Sequence, residues 1–280
     1  MSNTMSLVDI IHEYLVSEEL QLPVFHHVAL RLQDMLAKDD YNLQQVATLI
    51  MEDQYLASQV LRVANSAFFS GLSKASTIKD AIVRLGAKQL LSIVMLATQK
   101  SNYHSQSKIL NVYMQDLWKH ALGCAMGAKW LAEKIGYSNL AQEAFLGGLL
   151  HDIGKLFLLK LLEDIHASDK YDVTLSKALV TEVLKSMHAE QGYTLLQKWN
   201  IPDLYCHIVR DHQKEAYNTS DVLLSMVRVV NLTCKKLGIG MQHDPSIILE
   251  ATPEALHLGV SDLLLAELEI AIEDGLGLEC

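Results

Sequence analysis

The sequence predicts an all-α protein on three observations. Apolar residues recur at helical spacing in nearly every segment, alternating β-branched runs are scarce, and the 280 residues include only four prolines. With half of its residues hydrophobic, the chain can bury a large core in one big or two modest domains.

Each element carries its own signal. Pro23 suits the first turn of a helix that places Val24, Phe25, Val28, Leu32, Met35 and Leu36 on one stripe. A second helix is expected after Asn42, and a third carries Leu56, Val60, Val63 and Ala64, with Gly71 ending the NSAFFSG stretch. Thr77 is placed to cap a long helix running through Ile78, Ile82 and Leu85 to Ile93 and Leu96. The polar stretch from Ser101 to Lys108 then separates two apolar-periodic blocks. These signals divide the chain into an amino-terminal helical lobe (1–103), a helical bundle (104–237) and an acidic helical extension (238–280). In the extension, Ser261 caps a helix whose Leu264, Leu265, Leu268, Ala271 and Ile272 form a stripe expected to pack back on the body.

The bundle block holds the chemistry. His151 and Asp152 lie at the centre of LLHDIGKLFLL, inside an apolar stretch read as helical, and burial of either is costly unless it is paired or coordinated. Neighbours on a helix point about 100° apart, so both reach inward only toward a crevice between helices. Further candidate ligands are His120, His188 and His212, each in a helical segment, with separations of 31, 36 and 24 residues from one motif to the next. Each gap suits a helix and its return, so the four positions can converge in one bundle. Mixed imidazole and carboxylate donors suit Mn, Fe or Mg, and also admit Zn. Lys155, four residues after His151, falls on the same helical face if the helix is continuous and is placed to meet a phosphate.

Composition excludes several classes. The net charge of −10 argues against direct nucleic-acid binding. Nine acids and no Lys or Arg lie beyond residue 237, which leaves the preceding residues nearly neutral, with 24 acids against 23 bases. The longest apolar run, Ala144 to Leu162, carries His151, Asp152 and Lys155 at its middle, so no membrane insertion is expected and a cytoplasmic location is the default. Cys124, Cys206, Cys234 and Cys280 are scattered and read as reduced, buried small residues.

His120 followed by His151-Asp152-Ile153-Gly154-Lys155 resembles the HD superfamily of metal-dependent phosphohydrolases. The segments LPVFHHVALRL (22–32), RVANSAFFSG (62–71) and IKDAIVRLGAKQL (78–90) narrow the resemblance to the HDOD family, the HD-related output domains of bacterial signalling proteins. EAFLGGLLHDIGKLFLL (143–159) and HAEQGYTLLQKWNIPD (188–203) are similar to it too, and the likeness covers about residues 20 to 235. It implies a helical fold with an amino-terminal lobe and an HD-like bundle, a divalent metal (Fe, Mn, Mg or Zn), and an output role exerted on other signalling proteins, with self-association compatible.

The same resemblance makes His120, His151, Asp152, His188 and His212 metal ligands, with Asp152 and Lys155 serving any catalysis. Two departures weaken turnover. No G-Y-P follows His212, and Asp211 and Gln213 replace the neighbours a phosphodiesterase would have there. Asn231 stands where the superfamily's terminal aspartate is expected, and an amide oxygen coordinates metal without a carboxylate's charge. The alternative is a metal-dependent phosphohydrolase or phosphodiesterase acting on a nucleotide or cyclic nucleotide. A third reading is an interaction scaffold built on Arg62, Asn65, Phe68 and Phe69, with Arg62 and Arg84 suited to clamping carboxylates or an external anion.

Overall fold

The structure, a computed structural model, describes residues 7–16, 26–38, 41–66, 68–69, 74–168, 171 and 174–276. Among these it is built of α-helices and short 3-10 turns, with no strand. Pro23, Val24, Phe25, Gly71 and Cys280 lie outside the described residues.

The amino-terminal lobe contains α1 (Leu7–Val16), α2 (His27–Ala37), α3 (Leu43–Met51), α4 (Gln54–Ala64) and the long α5 (Ile78–Gln99). Local chemistry fixes their starts. Asn42 and Gln45 form a reciprocal capping box at α3, Asp53 accepts from the Leu56 N–H at α4, and Thr77 and Asp80 form a second capping box at α5. The expected single helix after Thr77 is interrupted. Gly86 sits at φ 77°, ψ 161°, where L side chains are strongly disfavoured, so α5 is two helical pieces joined at a kink. Although α5 has the length and apolarity of a membrane span, its apolar residues pack against α2, α3, α4 and α7.

The bundle follows as α6 (Lys108–Lys134), α7 (Ala141–Leu150), α8 (Ile153–Ala167), α9 (Lys177–Lys198), α10 (Asp203–Asp211) and α11 (Val222–Leu237). Helix α6 runs through its centre against α7, α8 and α11, while α9 packs between α8 and α10. The core is continuous with that of the lobe, where Phe69 meets the fully buried Phe145 ring edge-on at 5.9 Å.

The continuous helix expected across His151-Asp152 is not formed. Helix α7 ends at Leu150, Asp152 adopts φ −105°, ψ 15°, and α8 starts at Ile153. The Gly148 carbonyl, which a continuous helix would offer to the Asp152 N–H, receives the His151 ring at 2.7 Å. The pair therefore sits on a turn whose two flanking helices diverge.

Beyond α11, Gly238 takes the left-handed conformation that closes the helix, and α12 (Pro253–Leu258) and α13 (Asp262–Leu276) return to the body. Of the expected stripe of α13, Leu265 is 3% and both Leu268 and Ile272 0% exposed, while Leu264 and Ala271 are partly buried. Ile272 lies on α6 where Gly123 and Gly127 leave room: a Cβ on Gly127 would stand 2.9 Å from Ile272 Cγ1. Ile272→Ala is accordingly expected to cost about 2–5 kcal/mol in urea denaturation. A loss below about 1 kcal/mol would make this helix a detachable appendage.

Candidate metal centre

The five residues singled out by sequence meet at one point, with Asp152 as the hub. Its Oδ2 lies 3.5 Å from His120 Nε2 and 3.4 Å from His151 Nε2. Its Oδ1 lies 3.6 Å from His188 Nε2 and 3.3 Å from His212 Nε2. The two histidine pairs are themselves close, His120 to His151 at 3.2 Å and His188 to His212 at 3.4 Å between Nε2 atoms. All five side chains are buried.

Hydrogen bonding on the far side of the rings decides what faces inward. Nδ1 of His120 faces the Ile239 carbonyl at 2.9 Å, that of His151 the Gly148 carbonyl, and that of His212 the Val209 carbonyl at 2.8 Å. A carbonyl only accepts, so each Nδ1 carries the proton and each neutral ring presents an Nε2 lone pair. Lone pairs of His120 and His151 then face one another, and that of His212 faces a carboxylate oxygen. Either the rings take a second proton or a cation lies between them. Burial opposes the first for the second pair, pushing His188 down to about 4 and His212 down to about 3. Asp152 Oδ1 is buried without a hydrogen-bond partner, a further donor in want of a cation. An ion with bonds of about 2.1 Å holds neighbouring donors about 3 Å apart, close to the spacing here. The donor set fits a divalent metal on each side of Asp152.

Burial pushes the Asp152 carboxyl up, but the charge of the Lys155 ammonium outweighs it, holding the group well below the usual carboxylate range. Lys155 Nζ is 2.6 Å from Asp152 Oδ2. The turn at residues 151–152 removes the shared helical face that was expected to align Lys155 with His151, and the ammonium engages the hub carboxylate instead.

The family model for the HDOD domain matches residues 22–215, more than two thirds of the chain. The chain belongs to the HDOD family. A protein from Treponema pallidum (strain Nichols), described only as uncharacterized, is 25% identical over 226 residues, which cover 77% of this chain and 42% of the relative; the chain thus spans less than half of that relative's length. The crystal structure of an HDOD domain protein of unknown function from Geobacter sulfurreducens superposes with a TM-score of 0.74 at 24% identity, covering 96% of each chain. A structure from Shewanella amazonensis SB2B, described as a candidate metal-dependent phosphohydrolase, gives a TM-score of 0.69 at 20% identity over 99% of this chain and 100% of that one. These likenesses establish the HDOD fold.

The HDOD centre opens in two directions. Toward His120, Asp152 and Lys155 there is a slot of about 10 Å³, room for about one water, closed by Ile239, Met241 and Gln242. Past His212 lies a cleft of about 210 Å³ lined by Gln213, Arg228, Asn231, Lys235 and Glu254. Lys235 borders both. Burial pulls its ammonium down, nearby Lys155 adds to this, and Asp152 opposes. Asn231 Oδ1 is buried and unpartnered, so an amide donor is available where a carboxylate was expected. Arg228 is held at 2.6 Å by Glu254 of α12 and stacks 3.9 Å over the Tyr217 ring. Asp211 faces Arg210 and Lys214, each at 2.7 Å.

Arg228, Lys235 and Glu254 were not singled out from sequence; the spacing of Lys235 four residues after Asn231, on one face of α11, was the available signal. The glycines that set the helix spacing were also missed. A Cβ on Gly148 would overlap the Cys124 carbonyl, and one on Gly154 the His188 carbonyl.

The alternative scaffold surface is differently built from the reading above. Asn65 bonds both the N–H and the carbonyl of Ala75, and Arg84 reaches the Ala64 carbonyl at 2.6 Å and so braces the main chain. Arg62 bonds Gln59, and Phe69 is core. Arg62 and Phe69 border a separate groove of about 390 Å³ between α4, α5 and α6, which none of the five candidate ligands lines.

Proposed function

We propose that this chain is a bacterial, cytoplasmic signal-transduction module whose His/Asp centre holds divalent ions as a structural and regulatory element, with output exerted on other signalling proteins. His120, His151 and Asp152 Oδ2 hold one ion; Asp152 Oδ1, His188 and His212 hold the other. The observation that carries the regulatory reading is Lys155. Its ammonium occupies the hub carboxylate beside a slot of about 10 Å³, where a hydrolytic centre needs an open coordination position and room for substrate. Asn231 and Gln213, neutral amides in place of acidic residues, point the same way.

A second reading is favoured by the cleft past His212, where Arg228 and Lys235 offer positive charge at a volume of about 210 Å³. There a nucleotide or cyclic nucleotide phosphate would be bound, and the metal would supply an acidified water and charge neutralisation. The test is a panel of phosphomonoesters and cyclic nucleotides with Mn, Fe, Mg and Zn, beside His151→Ala and Asp152→Ala. Mn²⁺ bound by the wild type and lost from both variants, with no metal-dependent turnover, is the expected result. Turnover that both substitutions abolish would replace the regulatory reading with the hydrolytic one.

A further inference from the structure

Two cysteines that sequence spacing left as inert core residues stand beside the same histidine. Cys124 follows His120 by one helical turn on α6, and Cys234 approaches from α11, 110 residues away. Cys124 Sγ is 3.7 Å from Cys234 Sγ and 3.7 Å from His120 Nε2, and the three donor atoms all lie within 4.8 Å of one another. For a tetrahedral ion with metal–sulfur bonds of about 2.3 Å and metal–nitrogen bonds of about 2.0 Å, the sulfur–sulfur edge is about 3.8 Å and the nitrogen–sulfur edge about 3.5 Å. The two separations that involve Cys124 match those edges to about 0.2 Å, and Cys234 Sγ lies within 4.8 Å of His120 Nε2. Both thiols are fully buried. The ring is already turned for the task, because the Ile239 carbonyl fixes the proton on Nδ1 and leaves Nε2 free. Asp152 Oδ2, 3.5 Å from that nitrogen, is within reach as a fourth donor.

We propose that His120, Cys124 and Cys234 form a thiolate site for a borderline or soft ion such as Zn²⁺, sharing His120 with the Asp152 centre. Binding is an exchange of protons for metal: one M²⁺ enters, two S–H protons leave to solvent, and two metal–sulfur bonds and one metal–nitrogen bond form, with no change of oxidation state. Imidazole Nε2 has one lone pair, so His120 serves the thiolate ion or the ion at His151 and Asp152, never both. Thiolates select thiophilic metals and carboxylates select Mn²⁺ or Mg²⁺, so the two positions read different ions. The exclusive use of His120 rests on the metal reading of the Asp152 centre; the thiolate site does not.

Chelator-stripped, phosphine-reduced full-length protein titrated with Co²⁺ tests the site directly. A thiolate-to-cobalt charge-transfer band in the near ultraviolet, with the intense visible bands of tetrahedral cobalt, is expected in the wild type. The band should be lost in Cys124→Ala and Cys234→Ala, each checked for retained helical circular dichroism, with serine at either position as a second variant. A wild type without the band, or a band surviving the double cysteine variant, overturns the site. Mn²⁺ affinity, read by electron paramagnetic resonance, should be about ten-fold lower or more in wild type carrying one equivalent of Co²⁺, which the charge-transfer band places on the thiolates, than in the same protein without Co²⁺. A cobalt band with unaltered Mn²⁺ affinity would overturn the sharing while leaving the thiolate site standing.

Discussion

Replacing Asp152 by alanine is expected to empty the centre of divalent ions and, even in metal-free protein, to lower stability by about 3–5 kcal/mol. Two features set that scale. The carboxylate is 2% exposed and is the anion against which the largely buried Lys155 ammonium is neutralised, at 2.6 Å. Truncation leaves that charge without its counterion in a crowded interior, and breaking a buried pair from one side costs more than the pair itself contributes. It also removes the only carboxylate among the donor sets formed with His151, His188 and His212. Elemental analysis reads the ion content, and urea denaturation of stripped wild type and stripped variant reads the stability. Asp152→Asn, which keeps shape and hydrogen bonding while removing the charge, should lie between them. A stripped variant as stable as stripped wild type would show that Lys155 draws no stabilisation from Asp152.

Gly154→Ala is expected to destabilise by about 3 kcal/mol or more, against a helix-propensity gain of about 1 kcal/mol for the same change in an open helix. The added methyl would overlap the His188 carbonyl and stand 2.8 Å from the Gly192 N–H nitrogen, both main-chain groups that cannot rotate aside. Helices α8 and α9 would have to separate, and His188 would be carried away from Asp152. Urea midpoints and ion content should therefore fall together. Gly147→Ala is the internal comparison, because its methyl would meet the Ile208 Cδ1 end of a flexible side chain at 2.9 Å. Equal losses at the two positions would remove the main-chain explanation.

Much of this architecture was legible in the sequence because the relevant signals are local. Asn42 and Thr77 cap the helices expected of them, and the stripe after Ser261 folds back as its apolarity requires. His151 and Asp152 stood out because a histidine and an aspartate in a leucine-rich run need compensation, His120, His188 and His212 through the resemblance to the HD superfamily, and the structure brings all five together. The break at residues 151–152 was not legible. Neither residue is proline or glycine, and the apolar run continues through both flanks, so nothing in the composition marks the turn. For that reason the ion pair of Lys155 with Asp152 was not anticipated. The proximity of Cys124 to Cys234 and the grip of Glu254 on Arg228 depend on the packing of distant helices, which spacing along the chain does not encode. Gly86 carried a signal, an isolated glycine in a helical run, that is ambiguous without a view of its backbone angles.

Three of the four histidines are oriented by carbonyls of Ile239, Gly148 and Val209 rather than by side chains. A carbonyl is supplied by every residue type, so the groups that aim the rings are immune to most single-nucleotide change. The tautomer each ring must adopt is inherited with the fold, while the side chains of Val209, fully buried against Gly192, and of Ile239, packed at Gly123, answer only to the fit of the core. The heritable part of this centre is thus compact: four imidazoles, one carboxylate and the glycines that let their helices touch.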